Sequence, residues 1–224
     1  MAVVIGLFCA QTVVAQTAVS NLGQLTNSWA GIGNRASDGA NFARAVSFTT
    51  GGTAVDFTGA ILLLTVTPSL SQPTGLTVTL NSGFGTGGST GVLATLTGES
   101  APAPLSPTTF SYTSTSPITL SPNSTYWLQV AAPGTPSDTM FSWTTTAVDN
   151  NAVDVGGLAG WTIGLNYFIT NNGGGLWTSS SFGGVNQFSV QYQAAIPESS
   201  TYAALFGLSA LGFAAYRRRH RHSA

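Results

Sequence analysis

Between residues 16 and 195 the sequence falls into short apolar runs that alternate with polar residues, and this period of two constrains the fold more than any other feature. Leu76, Val78 and Leu80 interleave with Thr77, Thr79 and Asn81, and Phe188, Val190 and Tyr192 interleave with Ser189, Gln191 and Gln193. Successive side chains of a strand point to opposite faces, so such alternation is the mark of a strand with one face buried. FARAVSF (42–48), AILLLTVT (60–67), GVLATLT (91–97), STYWLQV (124–130) and MFSWTTT (140–146) are of the same kind, rich in Val, Thr, Leu and aromatic residues. The segments between them, such as SLSQPTG, NSGFGTGGSTG, GESAPAPLSP, SPNS and TNNGGG, are turn-forming mixtures of Gly, Pro, Asn and Ser. No amphipathic helical pattern interrupts them. Eight or more strands, with no repeat of fixed period, predict an antiparallel β-sandwich or jelly roll over 16–195, about what an all-β chain of this size needs to bury its apolar faces.

The surface of that domain carries little charge. Only 6% of the 224 residues are charged and none is Lys, so Ser, Thr, Asn and Gln must supply solubility. Between 16 and 195, Arg35 and Arg44 stand against Asp38, Asp56, Glu99, Asp138, Asp149 and Asp154. This acidic balance excludes nucleic acid as a partner, and the absence of Lys excludes a phosphate-binding loop of the Walker type. Such an uncharged polar surface suits a secreted β-protein.

The first fifteen residues fit secretion. Ala2 to Phe8 is apolar, and Val13 and Ala15 stand where a signal peptidase requires small residues, so 1–15 is expected to be a removed signal peptide. A buried N-terminal strand is the competing reading. No basic residue precedes Arg35, and the usual basic start of such a peptide is expected upstream of Met1. Cys9, the single cysteine, falls in the removed segment, so the mature chain would hold no thiol.

The C-terminal segment 196–224 is read as an address. Thr201 to Tyr216 is uncharged and mostly Ala, Leu, Gly and Phe, and it is followed by Arg217, Arg218, Arg219 and Arg221. A helix over 201–216 would be about 24 Å long against a hydrocarbon core of about 30 Å, so a short, transient single-pass transmembrane helix is expected, stopped by the Arg cluster. Ile196-Pro197-Glu198-Ser199 lies just before it. Motif, apolar span and terminal Arg cluster, in this order, resemble the PEP-CTERM sorting signal; Pro197 and Glu198 match the family's Pro-Glu-Pro, and Ser199 stands in place of its second Pro. The resemblance implies a bacterial host, an inner-membrane exosortase that cuts the tail, and delivery to the cell surface or an exopolysaccharide matrix. In the body, the order VSFTTGGTAVDFTGAILLL, GVLATLTG, PITLSPNSTYWLQVA is similar to the choice-of-anchor R domain over about 40–190, which implies a surface module and no particular chemistry.

Catalytic readings are thin. His220 and His222 are the only histidines and both lie in the tail, so the body has no imidazole for a Ser-His-Asp triad or a His-ligated zinc. Gly83-x-Gly85-x-x-Gly88 formally matches a dinucleotide fingerprint, but it lies between two strands and is read as a hairpin loop. Asp149 to Asp154 offers oxygen atoms without EF-hand spacing and is read as an ordinary loop. Asn123 is read as a turn residue ahead of a strand. No catalytic, cofactor or metal residue is assigned. Of the five tryptophans, Trp127 and Trp143 are expected in the core; Trp161 and Trp177, beside Gly-rich loops, are the better candidates for exposure and for stacking on sugar rings, with core or rim packing as the leading reading for them as well. The chain is therefore read as a secreted structural or binding protein and not an enzyme. A carbohydrate-binding module, or a glycan-active enzyme with paired carboxylates, is the alternative.

Overall fold

The computed structural model describes residues 15–35, 40–66, 75–99, 106–132, 139–147, 151–171, 177–179, 184–194 and 207–213. The chain divides into two compact units, 1–193 and 194–224. The signal peptide expected at 1–15 lies outside the described residues, apart from Ala15.

The first unit is all β among the described residues. Its strands are β1 (Gln16–Ser20), β2 (Thr26–Arg35), β3 (Ala40–Thr49), β4 (Val55–Val66), β5 (Thr77–Asn81), β6 (Phe84–Gly85), β7 (Gly88–Ser89), β8 (Val92–Gly98), β9 (Thr108–Leu120), β10 (Thr125–Ala131), β11 (Thr139–Thr146), β12 (Thr162–Asn171), β13 (Thr178–Ser179) and β14 (Phe188–Ala194). Each of the seven runs read as strands overlaps a strand among the described residues.

The strands do not form the two packed sheets of the expected sandwich. Eight of them close into an antiparallel barrel in the order β4-β11-β2-β3-β10-β5-β8-β9, with β9 returning to β4. The closure depends on β4, whose Leu64 stands opposite Thr108 of β9 on one edge and Trp143 of β11 on the other. β3 also uses both edges: β12 runs along one, and β10 and then β2 follow each other along the second. Sandwich and barrel both bury alternate residues, so alternation alone cannot separate them. Two strands long enough to take several partners decide it, β4 with 12 residues and β3 with 10. Closure also removes the free edges that an open sheet must protect.

One face of the ladder carries the core. Val46 and Phe48 of β3 stand opposite Leu128 and Tyr126 of β10, and Leu128 and Val130 stand opposite Leu80 and Val78 of β5. All seven are buried in one apolar cluster with Phe110, Leu62, Leu64 and Trp143. Burying each such side chain contributes about 1.5–3 kcal/mol. β14 lies beside β4 and carries β1 as its own partner. Buried amides stitch this region: Asn21 Oδ1 accepts from Phe188 N–H at 2.7 Å, and Gln187 Nε2 donates to the carbonyl of Gln24 at 2.8 Å.

The tight turn from β9 into β10 shows local chemistry at work. Asn123 is left-handed at φ 50°, a conformation Asn tolerates better than most residues. Thr50 Oγ1 accepts from Ser124 N–H at 2.9 Å, and Ser121 N–H donates to the Tyr126 hydroxyl at 2.8 Å, so the turn's polar groups are met locally.

In the second unit, residues 207–213 form a helix whose side chains are all exposed. Seven residues rise about 10 Å, a third of a hydrocarbon core. No helix among the described residues is long and apolar enough to cross a membrane, so the transmembrane helix expected at 201–216, and the single-pass anchor built on it, are not upheld. Gly207, Ser209 and Gly212 dilute the apolar character of the helical part. Pro197, Glu198, Arg217, Arg218, Arg219 and Arg221 lie outside the described residues.

Candidate functional site

On the outer face of β3, β10 and β5, aromatic rings lie beside two buried polar groups that lack a partner among the described residues. On β10, Leu128 and Val130 turn into the core, which leaves Trp127, Gln129 and Ala131 on the opposite face. Their direct neighbours are Ser47 and Ala45 on β3 and Asn81, Thr79 and Thr77 on β5. The floor is thus small on the β3 side, polar on the β5 side, and divided by the indole of Trp127.

Two elements roof this floor. The β6–β7 hairpin pairs Phe84 with Ser89 and Gly85 with Gly88 across a two-residue turn, Thr86-Gly87. Gly88, at φ 96°, sits where L side chains are strained. A Cβ there would also stand 3.0 Å from Nε1 of Trp177, so glycine lets the hairpin lie against that ring. Phe84 stacks on Trp127 with centroids 5.2 Å apart and meets Trp177 edge-on at 4.7 Å. Trp177 N–H donates to the Thr86 carbonyl at 2.9 Å. With Ala43 and Ala45 these rings make a small apolar cluster on the barrel's outer face, separate from the main core. The Gly83-x-Gly85-x-x-Gly88 pattern is thus a hairpin cover and not a strand-to-helix phosphate loop.

The polar half of the floor is incompletely satisfied. Asn81, fully buried, donates through Nδ2 to Thr79 Oγ1 at 3.1 Å and reaches the Trp127 carbonyl at 3.4 Å. Its Oδ1, and Oε1 of Gln129, are buried and accept no hydrogen bond among the described residues. A buried amide oxygen without a donor costs about 1–3 kcal/mol, so two of them beside one tryptophan are conspicuous. The floor offers stacking and hydrogen-bond acceptance, and none of its groups titrates near neutral pH.

The two tryptophans put forward for sugar contact are packed and not exposed, so the core reading holds for both. Trp161 is 4% exposed and stacks on Phe48 in the main core, with centroids 5.8 Å apart and planes 7° apart. The neighbouring glycines explain it: Gly51 and Gly160, the latter at φ 80°, allow two backbone segments to approach so closely that the indole is drawn inward. Trp177 is 7% exposed, under the hairpin. Trp127 and Trp143 are buried as expected, and Trp143 donates from Nε1 to the Gln187 carbonyl at 2.7 Å. Trp29, which no sequence signal singled out, is 61% exposed.

Of the three described acids, Glu99 is exposed and the other two, Asp56 and Asp154, serve structure. Asp56 accepts from Thr119 Oγ1 at 2.7 Å. Asp154 Oδ2 accepts from Ser20 Oγ at 2.7 Å and Gly23 N–H at 2.9 Å, and Oδ1 accepts from Gln24 Nε2 at 2.9 Å, fastening the loop before β12 to the β1–β2 turn. Partial burial alone would raise this carboxyl, but the hydrogen bonds from Gly23, Ser20, Gln24 and Leu22 outweigh it and hold the pKa below the usual aspartate value. Asp149 lies outside the described residues. Arg44 donates from Nε to the Gly31 carbonyl at 3.0 Å, and burial pushes its pKa down to about 10, which leaves it a cation at neutral pH. No group of three metal-ligating side chains occurs among the described residues.

No protein-family model matches the chain, and a search of curated proteins returned no similar sequence.

Proposed function

We propose that this chain is a secreted, surface-sorted bacterial protein of the extracellular polysaccharide matrix, structural or binding in role and not enzymatic, whose C-terminal segment is processed after the Pro197-Glu198 motif by an exosortase-type protease. The observation that supports the matrix role is the uncharged hydroxyl surface of the barrel. On β8, Thr95 and Thr97 are exposed, Thr97 stands opposite the exposed Thr113 of β9, and Ser111 and Thr109 continue the row. Hydroxyl groups exchange hydrogen bonds with neutral sugars without the desolvation cost of charged groups. Of the three described carboxylates, Asp56 and Asp154 are engaged in structural hydrogen bonds, which favours the non-enzymatic reading over one that needs paired carboxylates. Co-sedimentation of the full chain with an insoluble neutral glucan tests it. Binding should be equal at low and high salt, because no ion pair is involved. Retention only on an acidic polymer, lost at high salt, would sink the proposal.

A further inference from the structure

We infer that the glycine-rich hairpin 83–90 is a displaceable cover over a sugar-binding site, and that a neutral hexose unit takes the place of Phe84 on Trp127 and donates its hydroxyls to Gln129 Oε1 and Asn81 Oδ1. This rests on the polysaccharide reading above and gives it a site.

Three features converge on it. Phe84 already occupies the position of a stacked ring, 5.2 Å from Trp127 and 29° from parallel, so the closed hairpin supplies in the chain's own residue what a sugar face would supply from outside. Beside that ring, Gln129 Oε1 and Asn81 Oδ1 are buried acceptors without donors among the described residues, and Asn81 is fully buried. A phenyl ring has no hydroxyl to give them, whereas a hexose presents several around an apolar face. The cover is also built to come away. Each of its strands is two residues long, it belongs to a separate sheet, and Gly83, Gly85, Gly87, Gly88 and Gly91 punctuate it. Above its stem, where Ser82 pairs with Gly91 and Thr90 with Gly83, the hydrogen bond from Trp177 to Thr86 and the ring contacts of Phe84 hold it down.

The ligand class follows from the chemistry. Both orphan groups are acceptors, so the ligand must donate. No charged side chain lies on the floor, so it must be neutral. Thr79 stands opposite Thr95, and the exposed hydroxyl row runs on from β8 to β9, which gives a polymer a path away from the pocket.

The test titrates the full chain with cellohexaose and with maltohexaose as neutral probes, followed by tryptophan fluorescence and calorimetry. Three variants accompany the wild type: Gln129→Leu, Phe84→Ala and Trp127→Ala. Gln129→Leu should weaken binding about tenfold, the loss of one buried hydrogen bond, while its melting temperature stays level or rises because an unsatisfied acceptor is gone. Phe84→Ala should tighten binding several-fold, because the competing ring is removed and the open state is more populated. Trp127→Ala should abolish it. A chain that sediments with neutral glucan while Gln129→Leu and Phe84→Ala bind as wild type would overturn this site and leave the polysaccharide reading standing. Failure of wild type and Phe84→Ala to bind any neutral probe, polymer included, would overturn both.

Discussion

Tyr112 of β9 is a buried tyrosine whose hydroxyl finds no partner, and replacing it by Phe should stabilise the barrel. The residue is 2% exposed, stands opposite Ala60 of β4 and Gly98 of β8, and its OH makes no hydrogen bond among the described residues. Burying a hydroxyl without a partner costs about 1–3 kcal/mol, and the ring itself is unchanged by Tyr112→Phe, so a gain of about 1 kcal/mol at neutral pH is expected. That is about 2–4 °C in melting temperature for a chain of this size. The same site should respond to alkali. Burial first, and the negative charge of Glu99 second, push the Tyr112 pKa from 10.0 up to about 12. A phenol whose folded pKa is raised favours the folded state fully below its unfolded value, and that contribution is lost as pH rises from 10.0 towards about 12. At about 1.4 kcal/mol per pKa unit the ceiling is near 3 kcal/mol, and screening of the exposed Glu99 by solvent reduces the expectation to about 1–2 kcal/mol. Urea unfolding followed by tryptophan fluorescence, at neutral pH and at steps above 10, reads both effects as a shift in midpoint with unchanged slope. The variant should lead at neutral pH, and its lead should widen in alkali. Destabilisation by 1 kcal/mol or more, or a difference that stays flat above pH 10, would refute the claim that the hydroxyl is buried without a partner.

Three further perturbations probe other parts of the molecule. Asp154→Asn should cost about 1–2 kcal/mol at neutral pH, discounted for partial exposure; because the native carboxyl is held below its ordinary value of 3.8, the deficit should persist above that pH and vanish as pH falls through the lower folded pKa, which acid titrations of stability for the two proteins would follow. Trp161→Ala should cost about 3–5 kcal/mol by opening a cavity beside Phe48, measured by urea unfolding, whereas an exposed tryptophan would cost almost nothing. The intact mass of the protein from the native envelope and medium should show loss of the segment after Pro197 or Glu198 only when the host's processing protease is present; an unshortened chain in both strains would remove the processing step from the proposal.

Much of the strand content was legible in the chain alone because it is local. Alternation such as Val78, Thr79, Leu80 or Phe188, Ser189, Val190 needs only the two-residue period of a strand, and the SPNS turn needs only the tolerance of Asn123 for positive φ. β2 and β12 carried weaker patterns. β2 is interrupted by Gly31 and Gly33, and β12 by Gly164 near its start, so their period is hard to see from composition. The tail is the reverse case: an uncharged run with an Arg cluster reads as a membrane span by composition, yet the described helix is seven residues long.

Exposure was the quantity the chain alone could not supply. Trp161 and Trp177 stand next to glycines, and glycine marks a loop in sequence; in space the missing side chain is what lets Ala159 and the β6–β7 hairpin close over the two rings. By itself the sequence determined an all-β body with a polar, nearly uncharged surface, because period-two burial and side-chain chemistry belong to each residue. Tertiary structure alone decided that the ladder closes where β9 returns to β4, Thr108 beside Leu64, and that Trp127 stands opposite Asn81 with Phe84 stacked on its indole. Both depend on contacts between residues far apart in the chain, and no local pattern encodes which distant strand will satisfy a given backbone edge.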